Sequence, residues 1–190
     1  VVIDAPTGMR LQIDERLQRL VARRVEQRAG RTRRIYEAAA LPRFPSDYPV
    51  PGDVSVFPSV GLSTGMSWTE VARAYEAVVR RQIAAGPLPA AARIAAAASR
   101  IETIRRAADF VRRELRYTGL ELGLNEITPW TPAQVWERRY GDCKDLATFM
   151  VALLAGAGIE ARVALLRTGP GEDLPVALPG LGTVDHAIVY

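Results

Sequence analysis

The chain of 190 residues is poor in the side chains that most often carry chemistry: it holds one cysteine, Cys143, one histidine, His186, and one lysine, Lys144. A single cysteine excludes an internal disulfide and a cysteine-based zinc cluster, without fixing the compartment. No apolar run approaches the roughly 18–20 residues needed to cross a bilayer. The first residues lack a basic segment followed by an apolar core, so no signal peptide is visible. Val1 is not an initiator methionine, and the sequence begins and ends as an excised fragment would, which leaves the native compartment open. There is no internal repeat, no phosphate-binding glycine loop and no cluster of metal ligands, so no cofactor and no metal are expected.

The scarcity of lysine makes the charge almost wholly arginine on the basic side. All but one of the 25 basic residues are arginine, against 21 acidic ones, for a net charge of +4. These arginines lie in amphipathic segments and alternate with glutamate, which reads as a solvated surface and not as a nucleic-acid face. With 48% hydrophobic residues the chain can build a real core. Its length suits one domain of ordinary size, or a domain with a substantial appendage.

Taken in order, residues 1–15 carry little signal. Leu17–Glu26 mixes branched residues with arginine, and Arg28-Ala29-Gly30-Arg31 supplies a turn before Thr32–Ala39. A β-hairpin with Gly30 at positive φ is expected there, although Asp14–Glu26 also has the composition of a helix. Five of the thirteen prolines fall between Leu41 and Val60, which predicts an extended, irregular segment with a short strand at Val54–Phe57. Ser67-Trp68-Thr69-Glu70 is a capping box, and the helix behind it runs to about Ala84 with Val71, Tyr75, Val78 and Val79 on one face. It stops before Gly86-Pro87 and reads as a linker helix. Ala90–Ser99 has helical composition. Ile101–Arg116 is a second helix, its stripe being Ile104, Ala107, Ala108, Val111 and Leu115, with Arg105, Arg106, Arg112 and Arg113 turned outward. Leu120–Ile127 reads as a loop. Thr131-Pro132-Ala133-Gln134 opens a short helix, and Trp130 before it reads as a packing residue that could also line a cleft.

That helix delivers the chain to Arg139-Tyr140-Gly141-Asp142-Cys143-Lys144-Asp145-Leu146-Ala147-Thr148-Phe149-Met150. Leu146, Phe149, Met150, Leu153 and Leu154 recur at helical spacing and predict a buried face. Asp142 is a good N-cap with Asp145 three residues on, and Gly158 is a good C′ residue after Ala157. Cys143 then becomes the first helical residue, beside backbone N–H groups and the positive end of the dipole. Helix starts favour the thiolate, the reactive form of cysteine. Lys144 adds to that effect, while Asp142 and Asp145 oppose it, so a base is wanted. Glu160–Thr168 alternates as a central strand. Gly169–Gly182 is a breaker-rich loop, and His186 then begins a strand ending at Tyr190. On the residues alone, a Cys143–His186 catalytic pair and a pair of structural residues both remain open.

Gly141-Asp142-Cys143-Lys144-Asp145 with its apolar helix, Gly158-Ile159-Glu160-Ala161-Arg162-Val163 and Asp185-His186-Ala187-Ile188-Val189 together resemble the bacterial transglutaminase-like superfamily. The match runs from about Ala90 to Tyr190. It implies an α+β fold of papain-like type, with helices packed on an antiparallel sheet and Cys143 and His186 as the catalytic pair. The family's third residue, usually an aspartate, follows on the next strand. Asp185 is too close to His186 and points to the other face, so the orienting carboxylate is expected beyond Tyr190 and the fragment is expected to turn over poorly. Residues 1–60 resemble the trailing part of a β-rich domain of unknown function that often precedes this family. The implied organisation is therefore 1–60, a linker helix in 61–89, and a transglutaminase-like domain over 90–190.

The resemblance implies acyl transfer on a protein or peptide substrate through a thioester, with hydrolysis favoured over amine cross-linking. It also implies a bacterial source, with a periplasmic or secreted full-length protein. The rival is a binding or assembly module that keeps the fold without the chemistry, and the intact Cys–His pair speaks against it. A redox-sensing thiol would leave His186 without a role.

Overall fold

A computed structural model of the chain describes residues 1–17, 21–39, 58–88, 99–119, 127–168 and 177–190. It is of the α+β class and divides into two compact units, Val1–Trp68 with Gly169–Thr183, and Thr69–Thr168 with Val184–Tyr190.

The first unit is built from strands β1 (Val2–Pro6), β2 (Gln12–Arg16), β3 (Val21–Arg28), β4 (Arg31–Ala38) and β5 (Ser59–Ser63). Strands β1, β4 and β3 form one antiparallel sheet in that order, and β2 pairs with β5. The expected hairpin is β3–β4. Its two-residue turn has Ala29 at φ 50° and Gly30 at φ 73°, a twist that matches the flanking strands. The near-silent residues 1–15 hold β1 and all but the last residue of β2, whose mixed polar composition reflects sheets with little buried face. Glu15 on β2 accepts from the Tyr36 hydroxyl at 2.7 Å and pairs with Arg23 at 3.1 Å. The strand anticipated at Val54–Phe57 lies outside the described residues, and the strand found, β5, begins just after it.

The second unit contains helices α1 (Trp68–Ala84), α2 (Arg100–Glu114), α3 (Pro132–Arg138) and α4 (Cys143–Gly156). It also holds the short parallel pair β6 (Arg116–Tyr117) and β7 (Tyr140–Gly141), and the antiparallel pair β8 (Val163–Leu166) and β9 (His186–Val189). Helix α1 starts one residue after Ser67, as the capping box predicts, and buries Val71, Tyr75 and Val79. Ser99 caps α2 by accepting from the Glu102 N–H at 3.2 Å; most of the alanine-rich stretch before it lies outside the described residues. The four arginines assigned to the outer face of α2 are exposed, and Phe110 joins its buried stripe. Arg116, expected as the last residue of this helix, instead lies with Tyr117 in a strand that pairs with the one leading into α4.

Helix α4 is buried nearly all round, with Ala147, Thr148, Phe149, Val151, Ala152, Leu153 and Leu154 inside as well as its first turn. Phe149 and Leu153 are fully enclosed and anchor a core with Ala107, Phe110, Val111, Leu115, Val135 and Leu154. On another side α4 packs against β9, where Ala187 is buried. Strand β8 is shorter than expected and, among the described residues, pairs with β9 alone. Reciprocal bonds between Arg162 and Tyr190, at 2.8 and 2.9 Å, extend that ladder by one step. Because Leu153 has no exposed surface and sits where α2, α3 and α4 meet, Leu153→Ala should cost about 2–5 kcal/mol. Urea unfolding should show this as a lower midpoint at unchanged slope.

Candidate active site

The approach to Cys143 is fixed one cap at a time. Thr131 caps α3, its hydroxyl accepting from the Gln134 N–H while Gln134 reaches back to the Thr131 N–H at 3.0 Å; Pro132 takes the first turn, where its missing donor costs nothing. The helix ends at Arg139 in the left-handed conformation, φ 65°, uncommon for a side chain other than glycine. Three contacts hold it there. Its guanidinium meets Glu114 at 3.0 Å and lies 3.5 Å from the centre of the Trp136 ring, and its carbonyl accepts from the Arg116 N–H at 2.8 Å. The chain then passes through β7, with the Gly141 carbonyl accepting from Thr118 N–H at 2.9 Å, and turns into α4.

At the start of α4 two aspartates cap each other. The Asp142 carboxylate accepts from the Asp145 N–H at 3.2 Å, and the Asp145 carboxylate accepts from the Asp142 N–H at 3.2 Å. The other oxygen of Asp145 accepts from the Trp130 N–H at 2.8 Å, so one side chain ties the loop before α3 to the start of α4. Gly141 makes this possible. A Cβ at that position would stand 2.6 Å from the Cβ of Asp145, well inside contact distance. The pentapeptide Gly-Asp-Cys-Lys-Asp is thus a folded unit in which glycine is needed for the aspartate four residues on.

Lys144 is buried and donates to the Asp142 carboxylate, which is buried too. Its charge is therefore largely answered by Asp142 and is not available to Cys143 alone, as a reading of neighbours in sequence would suggest. Asp145 remains the less compensated acid. Burial pushes its carboxyl above the usual 3.8; the Trp130 N–H pulls it back, and the Asp142 charge pushes it up again.

Cys143 is the first residue of α4, half-buried and in no disulfide. His186 is the first residue of β9, half-buried and paired across the ladder with Leu166. Ala187 is buried and Val189 packs on the core, so alternation leaves His186 on the more open side of the strand. Asp185 is engaged elsewhere: its carboxylate accepts from the N–H of Thr168 at 2.8 Å and from its hydroxyl at 3.1 Å, closing the end of the β8–β9 pair. Trp130 is a packing residue, with Arg138 3.4 Å over its ring and Tyr140 edge-on at 5.9 Å.

One residue escaped the sequence reading. Tyr75 of α1, assigned there only to an apolar face, is buried where the charges of Cys143, Asp142 and Asp145 reach its phenol. Burial, then those charges in that order, raise its pKa well above the ordinary 10.0. Helical periodicity could place Tyr75 inside but could not tell which element it would meet. Among the described residues no group of His, Cys, Asp and Glu is placed to hold a metal ion, and no helix is long and apolar enough to cross a membrane.

The capping arrangement has a measurable consequence. Asp145→Asn keeps the shape, but an amide has one acceptor oxygen for two backbone donors, so a buried N–H loses its partner at a cost of about 1–3 kcal/mol. The pH dependence changes as well. A carboxyl raised above 3.8 holds its proton more tightly in the folded state, so its favourable contribution is complete below about that pH. It is lost as pH rises through the folded-state value. The stability of the wild type relative to Asp145→Asn should therefore fall across that window and level off above it, as read by urea unfolding at a series of pH values.

A family model described as the transglutaminase-like superfamily matches residues 89–188. A crystal structure at 2.00 Å of a candidate protease from Parabacteroides distasonis superposes on the chain with a TM-score of 0.74 and 18% identity. The match covers 99% of this chain and 37% of that one, so the chain spans little more than a third of the other protein's length. At that identity the likeness shows the fold. No curated protein matches the chain.

Proposed function

Because the chain belongs to the transglutaminase-like superfamily, a cysteine-protease-like family, we propose that Cys143 and His186 carry out acyl transfer on a peptide or protein amide. The observation that carries this reading is the position of Cys143 as first residue of α4, behind the Asp142 cap, with β9, the strand that His186 begins, packed on the same helix. We assign the module to residues 90–190, preceded by the helix in 61–89 and by part of a β-rich domain over 1–60.

In this mechanism the sulfur of Cys143 forms a bond to the amide carbonyl carbon while its proton passes to the imidazole of His186. The carbon–nitrogen bond then breaks, and the imidazolium returns the proton to the departing amine. A thioester remains. Water adds to it as His186 takes a proton, and the sulfur leaves to be reprotonated, which releases the acid. An amine in place of water would give a cross-link. Hydrolysis is the favoured outcome, in keeping with the description of the P. distasonis protein as a candidate protease. The positive end of the α4 dipole lies at the sulfur and stabilises negative charge there, by roughly 0.3–1 kcal/mol at an exposed site and more where water is excluded.

Alkylation tests the pair directly. Iodoacetamide at about pH 6 should label Cys143 at least about tenfold faster in the wild type than in His186→Ala. Equal rates would mean that His186 does not activate the thiol, and a structural cysteine in a non-catalytic module would then be the better reading. With a peptide amide and excess amine, release of the free acid should exceed amine incorporation.

A further inference from the structure

Strand β9 begins where the chain returns from the other unit. Gly169–Thr183 belong to the first unit, where Pro179 is buried and its carbonyl accepts from the Ser63 hydroxyl. The second unit resumes at Val184, and His186 follows two residues later as the first residue of β9. Strand ends open more readily than strand centres, and among the described residues β9 pairs with β8 alone. At this point Asp185 gathers three bonds. Its N–H donates to the Leu166 carbonyl at 3.1 Å, and one carboxylate oxygen accepts from both the N–H and the hydroxyl of Thr168, at 2.8 and 3.1 Å. Thr168 is the last residue before the chain leaves the second unit. The clamp therefore joins the departing and returning segments next to His186.

Other holds on His186 are few. Of the elements that pack on β9, β8 carries no charged side chain, and the one carboxylate of α4, Asp145, accepts from Trp130 and Asp142. Where the imidazole goes is then set by the main chain at the start of β9. Resting on the reading of His186 as the base for Cys143, we propose that Asp185 is a positioning residue: by clamping to Thr168 it holds the start of β9 and so keeps the imidazole where it can take the thiol proton. Proton transfer requires a ring nitrogen within hydrogen-bond reach of the sulfur, and a displacement of about 1 Å among reacting groups can cost about 10²-fold. Asp185 and Thr168 are both exposed, so loss of the clamp should scarcely move the melting temperature. It acts on reactivity and not on folding.

Iodoacetamide labelling of the chain at two pH values tests this. At about pH 6 the thiol needs His186, whereas at about pH 10 it is ionised without help. Asp185→Ala should label at least about threefold more slowly than wild type at the lower pH, and within about twofold of it at the higher. Asp185→Asn should stay within about twofold of wild type at both, because both Thr168 bonds go to one oxygen and an amide keeps an acceptor oxygen. In a His186→Ala background, Asp185→Ala should bring no further slowing, since it acts through the imidazole. Wild-type labelling of Asp185→Ala at the lower pH overturns the proposal while leaving the pair in place. So does an Asp185→Asn as slow as Asp185→Ala, which would mean that charge and not the clamp matters. Slowing at the higher pH as well, or added slowing without the imidazole, contradicts it too, because Asp185 would then govern access to the thiol. If His186→Ala labels as fast as wild type at the lower pH, the reading of the pair fails and this proposal with it.

Discussion

The carboxylate of Asp145 is the constraint on which the site depends. It leaves the first turn of α4, folds back over Gly141 at a distance only glycine allows, and accepts from the N–H groups of both Asp142 and Trp130. Those bonds decide where α4 begins, and hence that Cys143 is its first residue. They also fasten the loop before α3 to the helix that carries the thiol. Burial makes the charge of Asp145 costly, and three backbone and side-chain interactions offset that cost only in part. A group held this way fixes geometry more than it adds stability.

Around that point the structure is layered by contacts of ordinary strength. The enclosed residues Phe149, Leu153 and Val135 hold α4 to α2 and α3, while Phe110, Trp136 and Phe149 stack in sequence at 5.5 and 6.2 Å between ring centres. Arg139 is a strained hinge made tolerable by an ion pair, a cation–π contact and a main-chain bond at once. The surface pairs on the helices, Arg80 with Glu76 and Arg106 with Glu102, are exposed and add only a few tenths of a kcal/mol.

Local signals were the legible ones. Both capping boxes at Thr131 and Asp142, the helix start after Ser67, the Ala29-Gly30 turn and the α4 end before Gly158 each depend on residues within a few positions of one another, and sequence shows such relations directly. Strands β1 and β2 were not legible, because half-exposed strands carry no clean alternation. The length of β8 was overestimated, since pairing with β9 and not composition sets where it stops. At the candidate site, the helix start at Cys143, the strand start at His186 and the Asp142–Asp145 cap could be read from residue order. The answering of Lys144 by Asp142 and the arrival of Tyr75 could not. The first is a choice of side-chain rotamer, and the second brings together residues 68 positions apart.

The central claim is that Cys143 attacks a carbonyl with the help of His186. Mass spectrometry of the chain mixed with an activated peptide ester measures that event without requiring turnover. One acyl group per chain should appear on Cys143, should be absent from Cys143→Ser, and should form at least about tenfold more slowly in His186→Ala. Acylation at the same rate without the imidazole, or no adduct on Cys143 at all, would contradict it.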